Sequence, residues 1–216
     1  KGKVLKTQNK LFQSNLQIMK FTIFLLAFLA ISYSALSQNK SFSYAVVHKG
    51  DKIGKLEAIK KVNGGITEYQ TETNIQTRIL AKIEVNYNFR GVFNGHELKN
   101  TEAQIFLNGK NRTSTKTIKT NEHNYKFYDS GKLQKTINSP ISYTCIQLMF
   151  EEPTSVKKAY SEETGEFQSL RKIGMHSYAK ENEKGRESFY HYKNGILQTA
   201  KIDAGIIEFE LQLQPL

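Results

Sequence analysis

The feature that most constrains the fold is an alternation of apolar and polar side chains between residues 78 and 90. The apolar positions are Ile79, Ala81, Ile83, Val85, Tyr87 and Phe89, and polar residues separate most of them. A period of two places successive side chains on opposite faces of a β-strand, so one face of this segment is predicted to be buried and the other solvated. The same pattern returns at residues 207–213, which include Phe209, and at residues 42–46.

Turn dipeptides separate these alternating segments. Clear examples are Asn63-Gly64, Asn94-Gly95, Asn108-Gly109, Ser130-Gly131, Lys184-Gly185 and Asn194-Gly195. Asn-Gly favours the tight turns of antiparallel hairpins, because both central residues must adopt positive φ. The pattern therefore predicts an all-β fold, a strongly curved antiparallel sheet or half-open barrel built as a meander, with one short helix packed on or in it.

The helix is predicted between two prolines, at residues 140–151. Ser139 suits an N-cap and Pro140 suits the first helical position, where its missing N–H is not needed. Ile141, Cys145 and Leu148 then share one face at helical spacing. A fully buried strand is the alternative, because periodicity does not separate the two for a short apolar run.

The amino-terminal segment predicts export. Met19 is followed by Lys20, an apolar stretch at residues 21–31 and small residues before Gln38, which is the order found in a signal peptide. We interpret residues 1–18 as an upstream segment ahead of a mis-assigned start, residues 19–37 as the signal peptide and residues 38–216 as a single β domain. A membrane anchor is the alternative, but a spanning helix needs about 20 apolar residues.

The predicted compartment is the periplasm, with the domain released as a soluble protein. No cysteine stands immediately after the predicted cleavage site, so a lipoprotein is not expected. Removal of the signal segment leaves 26 Lys and Arg residues against 20 Asp and Glu residues, a net charge of +6. This modest surplus is spread along the chain and does not indicate a nucleic-acid partner. Anionic lipid head groups, met through peripheral membrane contact, or polysaccharide are the expected negative partners.

No catalytic, cofactor or metal signature stands out. Cys145 lies among apolar residues and is interpreted as a packed, unreactive thiol. The five histidines show neither the i, i+2 nor the i, i+4 spacing of a metal site. Glu162 and Glu163 are adjacent, so on a strand they would point to opposite faces and serve as solvated surface charges.

The stretch from Lys110 to Thr120 carries polar side chains on both faces. One interpretation is an edge strand that lysines protect against pairing with another sheet. The other is a basic rim of Lys110, Arg112 and Lys116, which would hold the anionic head group of a ligand at the mouth of an apolar cup.

Several short motifs resemble a family of exported bacterial domains of unknown function from the Gram-negative envelope. They are Lys52 to Leu56, Phe106 to Lys110, Pro140 to Tyr143, Phe150 to Pro153 and Tyr192 to Leu197. This family is similar in architecture to periplasmic carriers of lipids and lipoproteins. The resemblance implies a curved antiparallel sheet that shelters an acyl chain, with a helix as lid.

The leading functional hypothesis is binding or carriage of an apolar or amphipathic ligand, such as a lipid. The residues predicted to line the site are Ile79, Ile83, Val85, Tyr87, Phe89 and Phe209. A structural or adaptor protein of the cell envelope is the second hypothesis, and a hydrolase whose site assembles from distant loops is the third.

Overall fold

The computed structural model describes residues 39–77, 83–205 and 207–215. The predicted signal segment and Ile79 lie outside the described residues. Fourteen β-strands account for most of the described chain. They are β1 (Lys40–His48), β2 (Asp51–Asn63), β3 (Ile66–Thr77), β4 (Ile83–Asn94), β5 (Glu97–Leu107), β6 (Lys110–Lys119), β7 (Tyr125–Asp129), β8 (Lys132–Ile137), β9 (Lys158–Tyr160), β10 (Phe167–Gly174), β11 (Ser177–Glu181), β12 (Glu187–Lys193), β13 (Ile196–Asp203) and β14 (Glu208–Leu213).

All 14 strands form one antiparallel sheet in the order β8-β7-β6-β5-β4-β3-β2-β1-β14-β13-β12-β11-β10-β9. Every neighbour in this order is also a neighbour along the chain, except β1 and β14, which join the two halves. Tyr44 of β1 lies opposite Leu213 of β14. The predicted all-β antiparallel meander is confirmed, and because β8 and β9 do not pair, the sheet stays unclosed.

The hairpin turns follow from the dipeptides that predict them. Asn108 and Gly109 have φ of 50° and 73°, and Asn194 and Gly195 have φ of 53° and 75°. Positive φ at both central residues gives the turn a twist that matches antiparallel strands. These two Asn-Gly pairs therefore set the register of β5 with β6 and of β12 with β13.

Side chains bridge the two ends of the sheet without a backbone ladder. The hydroxyls of Thr117 in β6 and Tyr160 in β9 are hydrogen-bonded at 2.8 Å, and both residues are fully buried. Thr115 Oγ1 donates to the carbonyl of Glu162 at 2.7 Å, just after β9. We call this junction of β6 with the end of β9 the seam.

Next to the seam, β7 and β8 contact the loop between β9 and β10. Lys135 of β8 forms an ion pair with Glu166, which precedes β10. The ring of Phe127 in β7 lies so close to Gly165 that an added Cβ there would stand 2.7 Å from a ring carbon. Glycine is thus the residue that lets the β9–β10 loop approach β7.

The predicted helix at residues 140–151 is too long. The helical part is one 3₁₀ helix, Cys145–Met149, with Thr144 as its N-cap. Ile141 accepts a backbone hydrogen bond from Leu98 of β5 at 2.9 Å, so the start of the segment is tied to the sheet and does not coil on itself. The Gln147 side chain accepts from the Thr144 N–H at 2.8 Å and helps to start the turn.

Buried tyrosines fasten the 3₁₀ helix inside the sheet. Tyr44 donates to the carbonyl of Met149 at 2.9 Å, and Tyr192 donates to the carbonyl of Leu148 at 2.8 Å. The last carbonyls of a helix have no partner within the helix, and these two hydroxyls satisfy them. The turn therefore packs against the inner face of β1 and β12.

The interpretation of Lys110–Thr120 as an edge strand is wrong. The segment forms β6, which pairs with β5 on one side and β7 on the other. Thr115 and Thr117 are buried, with 5% and 0% of their surface exposed. Threonine hydroxyls can face this interior because they hydrogen-bond across the seam.

Among the described residues, no helix is long and apolar enough to cross a membrane.

Candidate ligand cavity

A cavity of about 270 Å³ lies on the inner face of the sheet. Its walls come from both halves of the sheet, from β2 to β4 on one side and from β10 to β14 on the other, with the 3₁₀ helix between them. Strands so far apart in the sheet order can line one space only because the sheet curves round it. The volume is near the lower end of the range of about 300–1,000 Å³ that is usual for small-molecule sites.

One wall of the cavity is mainly apolar, with Thr71 and Thr73 of β3 between its apolar residues. The apolar residues are Leu56, Tyr87, Phe89, Ile146, Met149, Ile202, Phe209 and Leu211. These side chains come from inward-facing positions of strands and from the 3₁₀ helix. Burial raises the pKa of Tyr87 to about 12, so its hydroxyl stays neutral and the wall carries no charge at neutral pH.

The opposite wall is polar and lies on β10 to β12. Gln168, Lys180 and Ser188 occupy inward-facing positions of three successive strands. Lys180 lies opposite Ser188 in the register of β11 with β12. A lysine and a glutamine on the inner face of a sheet are unusual, because both residue types are mostly exposed in folded proteins.

Glu162 closes the cavity floor from the loop between β9 and β10. It is 2% exposed, and its Oε1 accepts a hydrogen bond from the backbone N–H of Ile146 at 3.0 Å. Burial raises the pKa of this carboxyl above its usual range, although hydrogen bonds from the Ile146 backbone and the Thr144 side chain oppose the rise. The carboxyl therefore holds the first turn of the 3₁₀ helix in place.

Lys180 sits at the centre of the polar wall. Its Nζ donates to Oε1 of Gln168, and the Cys145 thiol lies 3.7 Å from the same oxygen. Burial raises the pKa of the Cys145 thiol to about 12, so the thiol stays protonated. These contacts make a small hydrogen-bonded group in which Lys180 carries the formal charge.

Four exposed charged residues surround the opening of the cavity. Lys184 and Arg186 are the cations, and Glu163 and Glu183 are the carboxylates. The guanidinium of Arg186 lies against Gly205, where an added Cβ would stand 1.8 Å from a nitrogen. These four residues therefore give the rim two positive and two negative charges.

The structure places the residues predicted to line an apolar site in different surroundings. Tyr87, Phe89 and Phe209 line the cavity. Val85 is 2% exposed and belongs to the packed core, against which Ile83 also packs. The role of the first three in binding remains a prediction.

The predicted basic rim is not at the cavity. Lys110, Arg112 and Lys116 are exposed on β6, and none of them lines the cavity. Lys116 lies on the face opposite the buried Thr115 and Thr117. Lys116 forms an ion pair with Glu102 at 2.8 Å, so its charge is already partnered across the outer face.

The expectation that Glu162 and Glu163 are solvated strand residues is wrong for Glu162. Both lie in the loop between β9 and β10, where the period of two does not apply, and both line the cavity. The signal in the sequence is Thr164-Gly165, a turn dipeptide that follows them directly. Gly165 has φ of 70°, which marks a loop at this point.

The arrangement supports binding more directly than catalysis. Two carboxyls in one cleft can carry out general acid–base chemistry, but Glu162 is engaged with the backbone of Ile146 and Glu163 is exposed at the rim. Among the described residues, no group of three or more His, Cys, Asp or Glu side chains could hold a metal ion. An apolar wall facing a polar wall suits an amphipathic molecule.

Comparison with known proteins gives a family and a similar solved structure. The model of the family "Domain of unknown function (DUF6134)" matches residues 44–214. The chain is also similar to the crystal structure of a beta-barrel-like protein of domain of unknown function DUF1849 from Brucella abortus, with a TM-score of 0.46 and 10% identity. That alignment covers 83% of this chain and 96% of the other. A comparison with curated proteins finds no match.

Proposed function

The chain belongs to the family of the domain of unknown function DUF6134, and we propose that its domain binds an apolar or amphipathic small molecule, such as a lipid, inside the curved sheet. The observation that carries this proposal is the cavity of about 270 Å³ between the 3₁₀ helix and the inner face of the sheet. Protein interiors are normally packed as densely as organic crystals. A space of this size, lined by aromatic and aliphatic side chains, suits an apolar guest.

The polar wall gives the guest an orientation. An apolar tail is expected against Tyr87, Phe89 and Phe209, with a polar head toward Gln168 and Lys180. Small-molecule sites commonly combine an apolar lining with a few placed polar groups. The rim residues Lys184 and Arg186 are exposed, so the head group also has access to solvent.

We place this activity outside the cytoplasm, in the periplasm, with the signal peptide at residues 19–37 removed. The support is the order of Met19, Lys20 and the apolar stretch that follows. Lipids and other amphiphiles are abundant at the membranes that bound this compartment. A carrier or a sensor of such molecules would both fit the same cavity.

Native mass spectrometry of the purified protein tests the proposal. Measured before and after organic extraction, the protein is expected to lose a bound mass that corresponds to an apolar or amphipathic molecule. Added decanoate should then bind to the extracted protein with one-to-one stoichiometry. A clean protein mass at both stages, with no uptake of added amphiphile, would contradict the proposal and favour a structural or adaptor role.

A cavity-filling variant makes this test specific. Thr73 of β3 lines the cavity and is 5% exposed, so Thr73→Leu is expected to occupy part of the space and weaken uptake. The matched control is Asn74→Leu, one residue further on the exposed face of the same strand. If Thr73→Leu and Asn74→Leu lose decanoate uptake equally, decanoate binds outside the cavity.

A further inference from the structure

Lys180 is the charged member of the inward-facing positions on β10 to β12 that line the cavity, where Gln168 and Ser188 are neutral. In β11 it shares the inner face with Tyr178, because side chains two residues apart point the same way. Tyr178 is 2% exposed. An inward lysine amine costs free energy unless another charge or hydrogen-bonding group receives it, so its partners determine what the cavity can hold.

The partner of Lys180 within the described chain is neutral. Its Nζ donates to the amide oxygen of Gln168, and among the ion pairs of the described residues none includes Lys180. An ammonium group has three donors. At least one of them remains for a group that enters the cavity.

Two carboxylates that line the cavity, those of Glu162 and Asp203, are already engaged with the backbone. Glu162 accepts from the Ile146 N–H at 3.0 Å, and Asp203 accepts from the Gly205 N–H at 2.8 Å. The other two cavity carboxylates, Glu163 and Glu183, are exposed, and among the described residues neither forms an ion pair with Lys180. The inner part of the cavity thus presents one amine without a bonded counter-ion.

Lys180 keeps its proton in this setting. Burial lowers its pKa, but neighbouring Tyr190, Cys145, Glu162 and Glu163 raise it, and the net direction is above the usual value. The group therefore offers a positive charge at neutral pH.

We propose that Lys180 binds the anionic head of the ligand, which is an amphiphile with a single negative charge such as a carboxylate, and that its tail lies along Phe89 and Phe209. This inference rests on the proposed function and names the ligand class for the same cavity. A single ammonium matches a monoanion, and hydrogen bonds between charged groups are the stronger kind.

A comparison of three ligands with the same tail tests the head-group assignment. Decanoate, decan-1-ol and decylamine are titrated separately into the organically extracted full chain, and dissociation constants are measured by calorimetry. Decanoate is expected to bind about tenfold more tightly than decan-1-ol, because a charged hydrogen bond replaces a neutral one. Decylamine is expected to bind more weakly than either.

Variants at position 180 assign the preference to one residue. Lys180→Met removes the charge and keeps an unbranched side chain, so decanoate should bind no better than decan-1-ol. Lys180→Arg keeps the charge and should retain the preference for decanoate. Binding of decan-1-ol by the Met variant shows that this variant is still folded. Lys193→Met, at an exposed position of β12, is the control and should bind as the wild type does.

The outcomes separate this inference from the proposed function. Equal binding of decanoate and decan-1-ol would overturn the role of Lys180 but keep the cavity as a site for an apolar guest. Tightest binding of decylamine would also overturn it and point to the cavity carboxylates as the head-group site. Failure of all three ligands to bind would overturn the proposed function itself.

Discussion

Glu162 and Ile146 are joined by a hydrogen bond of 3.0 Å from the backbone N–H of Ile146 to the buried carboxyl of Glu162. The bond ties the loop between β9 and β10 to the first turn of the 3₁₀ helix. Since both residues line the cavity, this contact fixes the cavity floor. It also places an ionisable group where ionisation is unfavourable.

The first prediction concerns the pH dependence of stability. The pKa of Glu162 lies above its ordinary value of 4.5, so the folded chain binds this proton more tightly than the unfolded chain does. The stability that this group contributes is present below 4.5 and is lost as the pH rises through the folded-state pKa. Glu162→Gln keeps an acceptor for Ile146 but has no proton to lose, so its stability relative to wild type should increase between about pH 4 and about pH 8.

Urea unfolding at several pH values measures this difference. The control is Glu122→Gln, at an exposed position between β6 and β7, which should change little with pH relative to wild type. If the free energy of unfolding depends on pH in the same way in wild type and Glu162→Gln, the pKa of the Glu162 carboxyl is not raised. The burial of this carboxyl at the cavity floor is then contradicted.

The second prediction concerns the seam. Thr117→Val removes the hydroxyl that is hydrogen-bonded to Tyr160 at 2.8 Å and leaves a buried phenol without its partner. The free energy of unfolding should fall by about 1–3 kcal/mol, the usual cost of an unsatisfied buried polar group. Thr136→Val, at an exposed position of β8, should change it by less than about 0.5 kcal/mol. Similar small losses in both variants would mean that the seam does not hold the sheet ends together.

The third prediction separates backbone strain from packing at Gly165. Gly165 and Gly109 have nearly the same φ, 70° and 73°, so alanine at either position should destabilise the fold by about 1–2 kcal/mol. An alanine Cβ at 165 also meets the Phe127 ring at 2.7 Å, whereas at 109 nothing lies within 4 Å. Overpacking should add about 1–3 kcal/mol to the loss in Gly165→Ala. Denaturation of both variants measures this additional loss in the free energy of unfolding. Equal losses would contradict the close approach of the β9–β10 loop to the Phe127 ring of β7.

The fourth prediction concerns thiol reactivity. The pKa of Cys145 is raised from 9.0 to about 12, which lowers the thiolate fraction at about pH 8 by roughly a thousandfold, and the thiolate is the reactive form. Iodoacetamide should therefore modify the native protein far more slowly than the urea-unfolded protein, as mass spectrometry can follow. Equal rates would show that Cys145 is neither buried nor part of the hydrogen-bonded group with Gln168.

The all-β meander was predictable because alternation and turn residues are local signals. The pattern around Tyr87 and Phe89 places both side chains on one face, and Asn108-Gly109 marks a turn, without any knowledge of the rest of the fold. The helix predicted at 140–151 is longer than the observed one, because the Ile141 carbonyl accepts a hydrogen bond from Leu98, which is distant in sequence. Local spacing carries no information about such a partner.

The polar half of the cavity depends on the same kind of distant contact. Lys180 and Gln168 belong to different strands, and Glu162 comes from a loop that meets β6 across the seam. Lysine is read as a surface residue from sequence, so the basic rim was predicted on β6, where lysines are dense. The curvature of the sheet, which decides what faces inward, is set by all strands together.

Nuclear Overhauser effects between decanoate and the extracted protein test the central claim most directly. The account predicts contacts from the decanoate methylene protons to the rings of Tyr87, Phe89 and Phe209, which line the cavity. Binding without these contacts, with effects seen only to outer-face residues such as the exposed Phe189, would contradict a ligand site inside the sheet.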